Sequence, residues 1–219
     1  MPMTMRGRLT YVRRRALARW LYRRPLSQLN PERLYLWAQA IIETAGVPGA
    51  VVEIGCASGG TSAHCYRLLQ NIGAPKRYVA VDTFSGFVPE QFDHDVQLGT
   101  PEAVRYGFSV SSPALVRQIL RQLGASGVEL VRGDIVAMPA DRLPRQISTA
   151  LVDVDLSHPV HAALTKTWPL VAPGGVVLVD DCDRRTGFRA RAGFQRFCAE
   201  QGMPERYEYG MGVLHRPPL

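Results

Sequence analysis

Two short acidic runs carry the strongest chemical signal in this chain. Asp153 and Asp155 follow the apolar stretch ending at Val152, while Asp180, Asp181 and Asp183 follow the one ending at Val179. If both stretches are strands of one parallel sheet, up to five carboxylates crowd its carboxyl edge, where like charges demand raised pKa values or a cation. Oxygen donors with water suit Mg²⁺ or a similar hard divalent ion. The competing reading gives these residues to helix caps and loop turns, which suits a lone Asp better than the pair Asp180-Asp181.

A second signal is the run Val51-Val52-Glu53-Ile54-Gly55-Cys56-Ala57-Ser58-Gly59-Gly60-Thr61-Ser62. Its glycines let backbone approach a ligand ahead of a helix N-terminus. The spacing G-x-x-x-G-G is not the G-x-G-x-x-G of dinucleotide folds, and Glu53 is placed either to orient the loop or to face a cationic amino group. Such a loop favours S-adenosylmethionine (SAM), which has no pyrophosphate. Asp82, followed by Thr83, ends the next expected strand 27 residues after Gly55. It is placed to accept both ribose hydroxyls or to cap its loop. Gly133-Asp134, after the third strand, is placed to meet the adenine edge or to cap a helix.

These residues need a scaffold in which strands and helices alternate, and the hydrophobic pattern supplies one. Asn30 and Pro31 read as the cap and first residue of a helix through about Ala45. Strands follow at Ala50 to Ile54, Tyr78 to Val81, Val128 to Val131, Thr149 to Val152 and Val176 to Val179. Helices are expected from Thr61 to Ile72, Ser112 to Leu123, Ala162 to Leu170 and Ala192 to Glu200. Glu205 to Tyr209 and Val213 to Arg216 flank Gly210-Met211-Gly212 as a closing hairpin. The pattern predicts an α/β, Rossmann-like class I methyltransferase fold: a seven-stranded sheet with an antiparallel C-terminal hairpin. The stretch from Phe84 to Ser112 exceeds an ordinary connection and reads as a lid, with Phe87, Phe92, Asp93, His94, Asp95, Tyr106 and Phe108 available to a carbohydrate or to the lid's own packing.

Charge divides the chain into an arm, residues 1–30, and a domain, residues 31–219. The first 31 residues hold eight Arg and no acid, against 18 basic and 19 acidic residues in the rest, so the net charge of +7 belongs to the arm. Leu9, Val12, Ala16, Leu17, Trp20 and Leu21 recur at helical spacing among the arginines. That amphipathic basic helix packs on its own domain or a partner subunit, or lies on an anionic membrane. An Arg-rich, acid-free start also has the character of a transit peptide. No apolar run approaches a membrane-spanning length, and four scattered cysteines form neither a disulfide framework nor a zinc pair. A cytoplasmic protein is expected, membrane-associated if the arm binds lipid, and self-associating as a dimer.

The segments Val51 to Ser62, Val81 to Phe87 and Leu151 to Asp181 together resemble the macrocin O-methyltransferase (TylF/MycF) family, over roughly residues 31 to 200. The resemblance implies a SAM- and Mg²⁺-dependent enzyme that methylates sugar hydroxyls. Asp153, Asp180 and Asp181 then match the family's metal ligands, Glu53 to Ser62 its SAM loop, and Asp82 its ribose-binding acid. The chain departs from the family in having Val154 between the paired Asp where a Gly is usual, and Ser157-His158-Pro159 where a Tyr soon follows. Related catechol-type enzymes carry a lysine base three residues after the first metal Asp; that position is Leu156, and the chain's only lysines are Lys76 and Lys166. The proton acceptor is therefore expected among Asp153, His158 and His94. The alternatives are a catechol- or phenol-type O-methyltransferase, disfavoured by the missing lysine, an RNA-binding or RNA-modifying protein using the arm, disfavoured by the near-neutral domain, and a catalytically dead protein–protein module, which would have little reason to keep the acid cluster.

Overall fold

The computed structural model describes residues 27–109 and 111–218, together with Met5, Leu9, Val12 and Arg13. Those four are helical and exposed; the rest of the helix expected over Leu9 to Leu21 lies outside the described residues. In chain order the elements are α1 (Pro31–Glu43), β1 (Ala50–Ile54), α2 (Gly60–Asn71), β2 (Tyr78–Asp82), α3 (Pro89–Gln97), α4 (Pro113–Gln122), β3 (Val128–Arg132), β4 (Ile147–Val152), α5 (Ser157–Thr167), β5 (Val171–Val179), α6 (Ala190–Glu200), β6 (Tyr207–Glu208) and β7 (Met211–His215). The sheet runs β3-β2-β1-β4-β5-β7-β6. The first five strands are parallel, and β7 enters antiparallel to both β5 and β6. This is the expected architecture.

Period-two alternation explains why β1 and β4 are buried along their whole lengths. Val51 and Leu151 face one side with Trp37, Ile41, Leu69 and Leu120, while Val52, Ile54 and Val152 face the other with Leu164, Phe194 and Phe197. Trp37 anchors α1 to the sheet and is fully buried; truncating such a side chain to Ala costs about 3–5 kcal/mol. Strand order reverses between β1 and β4, so their carboxyl ends diverge into the crevice where open α/β sheets bind ligands.

Four local expectations shift. β5 begins at Val171 because Pro173-Gly174-Gly175, a turn signal in isolation, forms an irregularity inside the strand, with the β4 register breaking between Ile147 and Thr149. Helix α5 starts at Ser157, five residues before Ala162, and gives way to a 3-10 turn at Trp168. The hairpin turns at Tyr209-Gly210, both at positive φ as a two-residue type I′ turn needs, so Met211 and Gly212 are strand. Asn30 holds the N-cap position of α1, yet its side chain makes no capping hydrogen bond; it lines the cavity described next.

Candidate active site

A cavity of about 330 Å³ opens at the carboxyl ends of β1, β2, β3, β4 and β5. Its first half is the turn from β1 into α2. Gly55 has φ +93, and a Cβ there would lie 1.7 Å from the Asp153 carbonyl oxygen. Only glycine permits that approach, which joins the β1 and β4 strand ends. Gly59, at φ +79, starts α2 and packs against Val116. Asp82 braces the turn: one oxygen accepts the Ala57 N–H (2.9 Å), the other the Phe84 N–H (2.7 Å). Ala57 and Phe84 are themselves at positive φ, so the carboxylate holds two strained residues in place.

Of the residues expected to hold a nucleoside cofactor, Glu53, Gly55, Ala57, Thr61, Asp82, Thr83, Gly133, Asp134 and Asp153 line the cavity. Ser58 is exposed, and Ser58, Gly59 and Ser62 are not on its wall. The Glu53 carboxylate accepts hydrogen bonds from Ser62 Oγ (2.8 Å) and Tyr78 OH (2.5 Å). Of its two expected roles it therefore performs the orienting one. Burial raises its pKa to about 7, against the lowering effect of Tyr78 and Ser62. Asp134 lines the cavity and braces a turn, not a helix: one oxygen accepts the Val136 N–H (2.9 Å), and the other accepts from Gln91 Nε2 (2.9 Å) on α3.

The second half is acidic. Asp153, Asp155, Asp180 and Asp181 all line the cavity. Asp155 and Asp181 take φ of +63 and +54, a left-handed conformation that Asp tolerates better than most residues. Burial first, and then the neighbouring carboxylates, raises Asp153 and Asp155 well above the usual range and Asp180 to about 6. One cation answers this charge. Arg33 Nη1, from α1, donates to Asp180 Oδ1 and Asp181 Oδ1, both at 2.8 Å, and its Nε donates to the Tyr209 carbonyl at 3.3 Å. Burial lowers the Arg33 pKa, but its carboxylate partners more than offset this and leave it raised. Among the described residues, no group of three or more His, Cys, Asp or Glu is arranged to hold a metal ion. Asp183, the fifth acid, does not line the cavity and pairs instead with Arg185 at 2.9 Å.

The histidine candidates for the proton acceptor do not reach the cavity. His94 is exposed because α3 buries Phe92 and Asp95 on its inward face. His158 is exposed because the first turn of α5 buries Ser157, Pro159 and Val160. Asp153 alone of the three expected groups is on the wall. Neither lysine lines the cavity: Lys166 Nζ donates to the carbonyls of Ile135, Val136 and Met138, and Lys76 to that of Val47. Burial pushes the Cys182 thiol up to about 12 and Cys56 well above its ordinary value, so neither supplies a thiolate.

The stretch from Phe84 to Ser112, expected to be a lid, contributes aromatics and no acids to the wall. Phe87 and Phe108 line the cavity with Phe188, which sequence reasoning missed, and their rings pack edge-on or tilted at 5.5 and 6.1 Å from Phe87. Tyr106 points outward, and Asp93 binds Arg105 at 2.6 Å. Asp95 is fully buried and caps α5, accepting from the Ser157 N–H (2.7 Å) and hydroxyl. That bond explains the early start of α5, whose own N-cap residue, Leu156, has no side-chain acceptor. Also missed were Gln28, Asn30, Arg33, Gln91 and Ser111 on the wall. Arg33 alone left a trace: it lies one helical turn before Trp37, a cation on the sheet-facing stripe of α1.

Residues 52–182 match the family model described as a methyltransferase domain. Among solved structures, the chain superposes on the O-methyltransferase NovP with a TM-score of 0.75 at 20% identity, covering 87% of this chain and 82% of that one. It superposes on CalS11, a calicheamicin methyltransferase, with a TM-score of 0.69 at 21% identity, covering 98% and 94%; CalS11 is a TDP-rhamnose 3′-O-methyltransferase. An O-methyltransferase from Bacillus cereus in complex with SAH gives 0.56 at 13% identity over 94% and 97%. Comparison with curated protein sequences finds no match.

Proposed function

The chain belongs to the methyltransferase-domain family, and we propose that it is a SAM- and Mg²⁺-dependent O-methyltransferase of the macrocin type acting on a sugar hydroxyl. The observation that carries this reading is one cavity with a hydrogen-bonded glycine turn and Asp82 on one side, and Asp153, Asp180 and Asp181 on the other. The nucleoside would lie along the turn, its ribose on Asp82 and its adenine toward Asp134 and Gln91, with the sulfonium directed at the acids. SAM, when bound, would supply an electrophilic methyl group whose sulfonium sulfur leaves as a neutral thioether. Oxygen-only donors fit a hard divalent ion, and Asp153, Asp180 and Asp181 would hold it once Arg33 releases the latter two. Such an ion, when bound, lowers the pKa of a coordinated hydroxyl and orients it.

This chain's own residues do the rest. Asp153, at the seam of the two halves, is placed to take the acceptor proton. Phe87, Phe108 and Phe188 offer apolar faces on which a pyranose ring stacks, and they exclude water from the transfer. The likeness to CalS11, a TDP-rhamnose 3′-O-methyltransferase, supports a sugar acceptor; the absence of a lysine from the cavity wall disfavours the catechol-type alternative. The test is calorimetric titration of S-adenosylhomocysteine, then assay of methyl transfer to glycosides and nucleotide sugars with and without EDTA. Micromolar binding and EDTA-sensitive transfer to a sugar are expected. No binding would sink the cofactor reading, full activity in EDTA the metal reading, and preference for a phenol the sugar reading.

A further inference from the structure

Arg33 and a divalent cation would need the same atoms. The Arg33 Nη1 bridges Asp180 Oδ1 and Asp181 Oδ1 at 2.8 Å each, whereas Mg²⁺ binds carboxylate oxygen at about 2.0–2.1 Å. One point between those two oxygens cannot hold both. The guanidinium is well seated: its side chain is 11% exposed, and Tyr209, at φ +48, turns its carbonyl toward Nε. Gly210 closes the seat, since a Cβ there would stand 3.1 Å from Arg33 Nη2. Yet Arg33 answers only part of the charge, for among the described residues no hydrogen bond from a cation reaches the Asp153 or Asp155 carboxylate. The cluster is thus neutralised enough to fold and left deficient enough to attract a stronger cation.

We propose that Arg33 is a tethered counter-ion that competes with the divalent cation for Asp180 and Asp181, so that the ion binds only the molecules in which Arg33 has withdrawn. The inference rests on the reading of these acids as a cation site. Arginine stays protonated at any working pH, so the competition is constant across the neutral range. Apparent affinity for the ion is reduced by the fraction of molecules that are competent, and a guanidinium seated in nine molecules of ten weakens binding about tenfold.

The experiment titrates Mn²⁺ into the metal-free full chain and follows the free hexaaqua Mn²⁺ signal by electron paramagnetic resonance, with no turnover required. R33M is expected to bind Mn²⁺ at least about tenfold more tightly than the unsubstituted protein, with R33K between them. D181N, in either background, is expected to lose the site. Circular dichroism melts establish that each variant is folded, and R33K serves alone should R33M not fold. If R33M and R33K bind Mn²⁺ no more tightly than the parent while D181N abolishes binding, the competition is overturned and the cation reading stands. If no variant binds Mn²⁺, the cation reading itself fails, and Arg33 is a permanent partner of the acids.

Discussion

The two halves of the cavity solve opposite electrostatic problems. On the β1–β2 side every charged group has a neutral partner: Asp82 accepts two backbone N–H groups, and Glu53 accepts two hydroxyls. On the β4–β5 side four carboxylates line the wall, and one guanidinium pairs with two of them. The first half is satisfied without ligand, and the second is short of positive charge. On the proposed reading, preorganisation belongs to the cofactor side and unanswered negative charge to the reacting side.

The hardest blow to this division falls on the seam. Gly55→Ala places a Cβ 1.7 Å from the Asp153 carbonyl at φ +93, a conflict worth more than about 4 kcal/mol. Loss of the cooperative thermal transition, or of S-adenosylhomocysteine binding and turnover together, is expected; a variant that lost only one would show the halves to be independent there. Next, Asp153→Asn should lower turnover by about 10²–10⁴-fold with little change in S-adenosylhomocysteine affinity. Asp82→Ala should do the reverse, weakening that affinity by about 1.5–3 kcal/mol through lost charge-assisted hydrogen bonds. Calorimetry beside a methyl-transfer assay separates the two, and equal effects on binding from both variants would erase the distinction.

Smaller effects sharpen the comparison. Asp95→Ala unpairs the Ser157 N–H and releases α3 from α5, costing about 1–3 kcal/mol in a denaturant melt; an unchanged midpoint would mean that the lid is held by its aromatics alone. Glu53 tests the cofactor side by pH. Its pKa is about 7 in the fold against an ordinary 4.5, so the unfolded chain ionises first. The stability it contributes is whole below about pH 4.5, declines as the pH rises toward 7, and is gone above that. Glu53→Gln has no proton to lose. Its melting temperature relative to the parent should rise by about 5 °C between pH 5 and pH 8, and a difference flat in pH would show Glu53 to be ionised throughout.

Much of this was legible in the sequence because it depends on local pattern. Strand runs, the glycine turn, and acids directly after strands are fixed by neighbours in the chain, so Asp82, Asp134, Asp153, Asp180 and Asp181 fall on one cavity wall. Direction within a helix is another matter. His94 and His158 sit next to chemically useful positions, but Phe92, Asp95 and Pro159 take the inward face, and one residue of helix turns a side chain by about 100°. Contacts between distant segments left the least trace. Nothing near Ser157 announces that its helix is capped by Asp95, and nothing near Asp180 announces Arg33.

That last contact carries a consequence for how the molecule comes together. Arg33 reaches partners 147 and 176 residues further along the chain, at Asp180 and Tyr209. Among the elements α1 to β7, synthesis delivers α1 first and the β6–β7 hairpin last. Closing spans of that length is slow relative to local helix and strand formation. The glycine turn and Asp82 find their partners within residues 55–84, whereas the seat of Arg33 closes only when the end of β5 and the β6–β7 turn have both met α1.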